Sequence, residues 1–467
     1  MTANTDKPLS YPAEHWLPAS TDKQADPPTD ALLHQQLAAV QRAQGDELAA
    51  LAHLVAAQSL EACQQGPQAR AIQDVCDIAT GYFMKGNDDA RAEYWYRLTL
   101  KLDPDKASAW QNLTELYARR GQLQDSERCR ERTYALQRVF VELAPQARRN
   151  LLLLCSGRTS GNIPFDTLLS AGHSHRIKYA IDYAHPDEDK LLPACHLIFN
   201  VIGDPDVAEP LAQRVRDFAA HSGLPLLNAP EAVVRTQRHR LSALLGDIPD
   251  LVIPPCLRAS GSPASAQQLA EELAAAGLHL PLLVRPAATH GGQGVVLCQQ
   301  MDEVWEAVQQ INGPHYLTQY VDCRDADSFF RKYRMVFIGG QAYPYHLAVS
   351  PNWMVHYFSA QMLEHEWKIA EELRFLQDPA AALGHKAMQA ICRLGQALEL
   401  DYAGVDFTVL ADGRVLLFET NATMLIHRER INGPLQHKNA FVEHIVQAFE
   451  QWQQQRLLSC GKTTSHE

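Results

Sequence analysis

The stretch GVDFTVLADGRVLLFETNATM, positions 404 to 424, constrains the fold of this chain more than any other. Two short runs rich in β-branched and aromatic residues flank Asp412-Gly413, a strong hairpin signal, and a two-residue type I′ turn there pairs Ala411 with Arg414. Counting outward, Asp406 falls opposite Glu419, and Asn421 points to the same face. Carboxylates directly opposed in a ladder have Cβ atoms about 4.5–5.5 Å apart and repel. A hard divalent cation relieves that repulsion. Mg²⁺ shared with substrate phosphates suits two carboxylates and the Asn421 amide oxygen. The competing reading is a three-residue loop that slips the register by one and turns one carboxylate to solvent. Apolar neighbours on both strands favour the buried sheet.

At 467 residues the chain has room for about three domains, and 46% hydrophobic with 21% charged is ordinary globular composition. No run approaches the roughly 18 apolar residues of a membrane span. The N-terminal stretch lacks the apolar core of a signal peptide, so a cytoplasmic protein without a membrane partner is expected. Ten cysteines, with no CxxC or other metal-like spacing, read as reduced core residues. A net charge of −12 argues against a general nucleic-acid surface.

Residues 1–29, rich in Pro, Asp, Thr and Ala, read as a disordered arm. From 30 to 145 the pattern is helical, with regularly spaced breaks. Aligning DVCDIATGYFMKGNDDARAEYWYRLTLKLDP with ASAWQNLTELYARRGQLQDSERCRERTYAL at a period of about 34 residues puts Phe83 on Tyr117, Ala92 on Ser126 and Asn87 on Gly121. Trp110, Leu113, Tyr117, Ala92 and Pro104 resemble the signature positions of tetratricopeptide repeats, and Ser126 departs from them. Such a stack is usually a binding surface. Its alternative is a plain packing module.

After position 148 the period changes. The runs NLLLLCSG, HRIKYAID, CHLIFNVIG and LPLLN, with a helical stretch at VAEPLAQRVRDFAAHSG, predict a small parallel α/β domain over 149–230. The loop SGRTSGNIPFDTLL lacks both the GxGxxG and the P-loop spacing and reads as facing a substrate. Further on, LVRPAATHGGQGVVLC places Arg285 at a strand end before Gly291, Gly292 and Gly294, where small residues let backbone N–H groups approach an anion. A plain Gly-rich hairpin is the alternative. The strand HYLTQYV ends at Gln319, Tyr320 and Val321, and KYRMVFIGGQAYPYHLAVS predicts a hairpin turned at Gly339-Gly340 with Lys332 and Arg334 on one face.

This order of segments resembles the ATP-grasp superfamily of carboxylate–amine ligases, over roughly 150 to 450, and in particular its glutathione synthetase-like and ribosomal-protein-glutamate-ligase-like members. The resemblance implies an α+β and α/β multidomain chain. A helical repeat region is followed by the small parallel pre-domain, an ATP-grasp domain over 231–452, and a C-terminal tail over 453–467. It also implies ATP and two Mg²⁺ ions, with Asp406, Glu419 and Asn421 as metal ligands. Arg285 stands in the place of a phosphate-binding lysine, Gln319, Tyr320 and Val321 line the adenine, Arg240 sits where another nucleotide-contacting lysine is usual, and Arg334 holds the transferred phosphate. The segment YPYHLAVSPNWMVHY does not follow the better-known members.

The implied chemistry is attack of a carboxylate on the γ-phosphate, then of an amine on the acyl phosphate. Histidines 290, 346, 356 and 427 are candidate proton acceptors, with His346 preferred. Partners are then ATP, a carboxylate and an amine, with a peptide or protein captured by the repeats as one substrate. Relatives of this type are often homo-oligomers. Two rival readings stay open: an ATP-grasp kinase, and a catalytically silent repeat scaffold.

Overall fold

Helix signals dominate the first part of the chain, and the computed structural model, which describes residues 26–461 except 87, 159, 160, 170, 171, 290 and 358, turns them into six helices. These are α1 (Ala31–Ala43), α2 (Glu47–Ala62), α3 (Ala69–Lys85), α4 (Asp89–Leu102), α5 (Ala107–Arg119) and α6 (Leu123–Leu136). Side chains of Asp30, Asp46 and Asp88 cap the starts of α1, α2 and α4 by accepting backbone N–H groups. Consecutive helices pack as pairs around one core holding Trp95, Tyr96, Trp110 and Tyr117. Trp110 donates its indole N–H to the Pro104 carbonyl at 2.8 Å, and Ser126 is buried, donating to the Thr114 carbonyl. Asn87, aligned above with Gly121, and the first 25 residues of the arm lie outside the described residues.

Two units make up the chain, Met1–Phe140 and Val141–Glu467. A short strand, β1 (Val139–Glu142), crosses the boundary between the units, and in the second unit β2 (Arg149–Cys155), β3 (Ser174–Ala180), β4 (Leu197–Asn200) and β5 (Leu226–Leu227) pair in parallel in the order β3-β2-β4-β5. A full α-helix, α7 (Pro205–Ser222), makes only the crossover from β4 to β5. It starts sharply because Asp204 accepts the N–H groups of Asp206 and Val207 and Pro205 occupies the first turn.

The remaining strands are β6 (Leu251–Val252), β7 (Cys256–Ala259), β8 (Leu282–Pro286), β9 (Val296–Cys298), β10 (His315–Gln319), β11 (Phe330–Ile338), β12 (Gln341–Ser350), β13 (Tyr402–Val409) and β14 (Val415–Asn421). They form an antiparallel sheet β7-β10-β8-β9 and a five-stranded sheet β12-β11-β13-β14-β6. On one face of the larger sheet Tyr333 stacks on Phe407 and meets Phe375 of the helix Glu366–Gln377. The last helix, Asn439–Gly461, runs through positions 453 to 461, inside the stretch expected as a tail. Among the described residues no helix is long and apolar enough to cross a membrane, and every described cysteine is free.

The central hairpin corrects the expected turn. Leu410 and Arg414 close it, with Ala411, Asp412 and Gly413 as a three-residue loop and Gly413 at φ 80°. That loop slips the register by one, so Phe407 pairs with Leu417. A β-bulge then leaves Phe418 unpaired and restores the lost residue, so Asp406 pairs with Glu419 after all. Two irregularities cancel.

Candidate active site

Register across the larger sheet sets the site. His346 on β12 pairs with Arg334 on β11, Arg334 pairs with Asp406 on β13, and Asp406 pairs with Glu419 on β14. Directly paired residues share a face, so one row carries two basic and two acidic side chains. Arg334 grips Asp406 with two bonds, Nε to Oδ1 at 2.5 Å and Nη2 to Oδ2 at 2.7 Å, and Lys332 adds an ion pair at 3.3 Å. Burial alone would push the Asp406 carboxyl up, but Arg334 and Lys332 outweigh it and hold it well below the usual carboxylate range.

The bulge at Phe418 has a second effect. Its carbonyl accepts Arg238 Nη1 at 3.2 Å while Arg238 Nη2 pairs with Glu419 Oε1 at 2.7 Å. Burial opposes ionisation of Glu419, and Arg238 and Arg285 overcome it, so its pKa is lowered. Arg238 was missed in the sequence, which pointed to Arg240. In the structure Arg240 pairs with Glu209 at 2.8 Å, and Arg238, two positions earlier, faces the row. The bulge carbonyl and Glu419 select Arg238 over Arg240, and no sequence signal announces the bulge.

A cavity of about 200 Å³ lies between the sheet β7-β10-β8-β9 and the larger sheet, lined from one side by Cys256, Leu283, Arg285 and Thr318 and from the other by Lys332, Asp406 and Leu416 to Glu419. Arg285 makes no ion pair among the described residues. Its Nη2 donates to the Thr289 carbonyl at 2.5 Å, and its Nε, shielded from solvent, has no acceptor among the described residues. Burial, with Arg238 adding to it, pulls the guanidinium down to about 10. It is still charged at neutral pH.

The glycines and strand end expected at a nucleotide behave as follows. Gly291, Gly292 and Gly294 all have positive φ, and a Cβ on Gly292 would lie 2.5 Å from His356 Nε2, so only glycine fits there. Gln319, Tyr320 and Val321 border the cavity. The Gln319 side chain is spent on the chain itself, accepting from His279 N at 2.8 Å and donating to the Pro281 carbonyl at 3.2 Å. His346 is buried between the rings of Tyr345 and Tyr357, its Nε2 without a partner among the described residues, and does not border the cavity. Burial, then Arg334 and Lys438, hold its pKa well below the ordinary value. His356 does border the cavity, near Lys332, Arg334 and Asp406. His427 bonds the Tyr345 hydroxyl at 2.9 Å, and His290 lies outside the described residues.

The three expected metal donors can be tested against their surroundings. Both Asp406 oxygens are engaged by Arg334, Glu419 Oε1 by Arg238 and by Asn421 Nδ2 at 2.6 Å, and Asn421 Oδ1 accepts Thr423 N at 2.9 Å. Among the described residues no three His, Cys, Asp or Glu side chains group as a metal cluster. Two carboxylates and an amide on adjoining strands are nonetheless hard oxygen donors of the kind Mg²⁺ takes when phosphates complete its shell. The donor set fits by chemistry.

No family model and no curated protein matches the chain. Among solved structures it is similar to D-alanyl-alanine synthetase A from Vibrio cholerae, with 14% identity and a TM-score of 0.41 over 66% of this chain and 98% of that one. A D-Ala:D-Ser ligase from Enterococcus faecalis is similar at 10% identity and 0.41, over 65% and 99% of the two chains. A RimK domain ATP-grasp protein from Sphaerobacter thermophilus is similar at 14% and 0.38, over 64% and 98%. Likenesses this distant do not bear on activity.

Proposed function

We propose that the chain is an ATP-grasp ligase that joins a carboxylate to an amine through an acyl phosphate, releasing ADP and phosphate. The observation that carries this is Arg285, a guanidinium bordering the cavity with a shielded Nε and no direct ion pair among the described residues. A buried cation in that state calls for an anion. Arg238 and Lys332 border the same space, which suits a polyphosphate.

In this reading the substrate carboxylate attacks the γ-phosphorus and ADP departs. The amine then attacks the acyl carbon, the C–O bond to phosphate breaks, and phosphate leaves with the electron pair and takes up the proton that the amine loses. Arg285, Arg238 and Lys332 neutralise the meeting anions, and Asp406 holds Arg334 in place beside them. Asp406, Glu419 and Asn421 would hold Mg²⁺, which supplies further neutralisation of phosphate charge. Gly291 to Gly294 form the cover that keeps water from the acyl phosphate.

The division into a 149–230 pre-domain and a 231–452 ATP-grasp domain belongs to the same proposal, as does the repeat character of 30–145. Supporting the latter are the buried Trp110, Leu113 and Tyr117 and the buried small side chains at Ala92 and Ser126. A peptide or protein substrate held by that helical unit is the matching expectation. If a chain lacking residues 1–145 still folds and keeps full activity with unchanged substrate preference, capture by the repeats is excluded.

The test of the ligase reading is turnover of Mg-ATP with pooled amino acids and peptides in the presence of hydroxylamine. ADP, phosphate and a hydroxamate are expected, all absent in Glu419→Ala. A phosphorylated product without hydroxamate means a kinase, and no turnover with any pool returns the chain to the scaffold reading.

A further inference from the structure

The segment that departs from the better-known members, just after β12, carries a consistent polarity. The chain leaves β12 through a turn in which Ser350 Oγ accepts Asn352 N at 3.1 Å, and the next stretch, Pro351–Tyr357, has neither helix nor strand. Four consecutive residues of it, Trp353 to His356, border the cavity. A strand could present only alternate side chains to one space, so the irregular backbone is what permits this.

The two ends of this strap differ in kind. At one end the Trp353 ring meets Tyr320 edge-on, centroids 6.1 Å apart at 85°, beside the backbone of Val321. Trp353 is only half-buried, and its indole N–H donates to no acceptor among the described residues. At the other end His356 sits under Gly292, close to Lys332, Arg334 and Asp406, and its ring nitrogens likewise make no hydrogen bond among the described residues. Between them Met354 and Val355 continue the wall. The strap therefore runs from an aromatic corner to a charged one.

We infer that Pro351–Tyr357 is the second wall of the nucleotide cavity, with Trp353 contacting the base and His356 the phosphate end under the glycine loop. This rests on the nucleotide reading above and adds to it the residues that grip each part of the ligand. An aromatic face contributes by stacking and tolerates any base, so the strap sets affinity for a nucleoside triphosphate without choosing the purine. The half-buried ring of Trp353 is then a binding surface rather than an unfinished core.

Calorimetric titration of the full-length chain separates the two ends, using a non-hydrolysable ATP analogue and inorganic tripolyphosphate as probes. Trp353→Ala should weaken the ATP analogue about tenfold to a hundredfold and weaken tripolyphosphate far less, while Trp353→Phe retains most of the affinity. His356→Ala should weaken both probes together. Equal loss of both probes in Trp353→Ala, or no loss of either, overturns the base contact, provided circular dichroism shows the variant folded. Trp353→Leu, for which the same selective loss of the ATP analogue is expected, keeps that test available if the alanine variant does not fold. Binding of neither probe by the wild-type chain instead brings down the nucleotide reading, and this inference with it.

Discussion

Two buried ionic clusters, one in each unit, are finished differently. In the helical unit Glu93 accepts Arg97 Nε at 2.9 Å and the Tyr117 hydroxyl at 2.8 Å on Oε1, and Arg120 at 2.5 Å on Oε2, while Arg97 also donates to Tyr117. Every polar group of that carboxylate is answered from within. The row at Asp406 and Glu419 is as dense in charge, yet the Nε of Arg285, which borders the cavity beside it, has no partner among the described residues. Full satisfaction marks a cluster that stabilises the fold. Unanswered donors mark one that expects a ligand.

The largest effect that would break this contrast is at Arg285. Arg285→Ala should lower ATP turnover about 10³-fold and change the melting temperature little, because Arg285 makes no direct ion pair among the described residues and only its support of the Glu419 charge is lost. Measured by ADP release and thermal melting, a variant that unfolds would place Arg285 among the structural residues. Arg285→Lys should recover part of the rate, since charge is kept and the fork is not.

Glu93→Ala is the mirror experiment. Removing one partner from a buried charged network costs about 3–5 kcal/mol, and denaturant unfolding should show it, with affinity for ATP analogues unaltered. Glu419→Gln should fall between the two. Turnover drops about a hundredfold, and stability falls by about 1–3 kcal/mol because Arg238 loses its charged acceptor. Were stability to rise instead, repulsion from Asp406 would outweigh the bond to Arg238.

A separate effect concerns pH. In the helical unit His53 Nδ1 lies 2.9 Å from His34 Nδ1 beneath Trp95, and burial, followed by the nearby His34 and Arg91, lowers its pKa to about 4. The unfolded chain binds that proton near pH 6.5 and the folded chain near pH 4. Stability of this unit therefore declines as pH falls from about 6.5 to 4 and then levels. Asp406 and Glu419 act in the same direction over a lower window. Their folded values lie below the unfolded ones, so what they contribute is present above about pH 4 and is lost only as pH falls through the folded values. Melting curves across pH, with His53→Gln flattening the first slope, would check the separation.

Part of the site was legible in the sequence. Alternation of apolar and polar residues is local, so the strands around Asp406 and Glu419, the Gly339-Gly340 turn and the basic face of Lys332 and Arg334 could be placed from it. Opposition of the two carboxylates was reached through the wrong turn. A three-residue loop and a bulge at Phe418, each worth one residue, compensate each other, and neither leaves a pattern that alternation can register.

Sequence alone determined which residue types are available to the site and which strands carry them, because periodicity and turn chemistry act between near neighbours. Tertiary structure decided the rest. Arg238 rather than Arg240 faces Glu419 because a bulge carbonyl far along the chain accepts it, and His356 rather than His346 reaches the cavity because the strap lies beneath Gly292. Those choices depend on contacts between segments distant in sequence, and no local signal encodes a distance across a cavity.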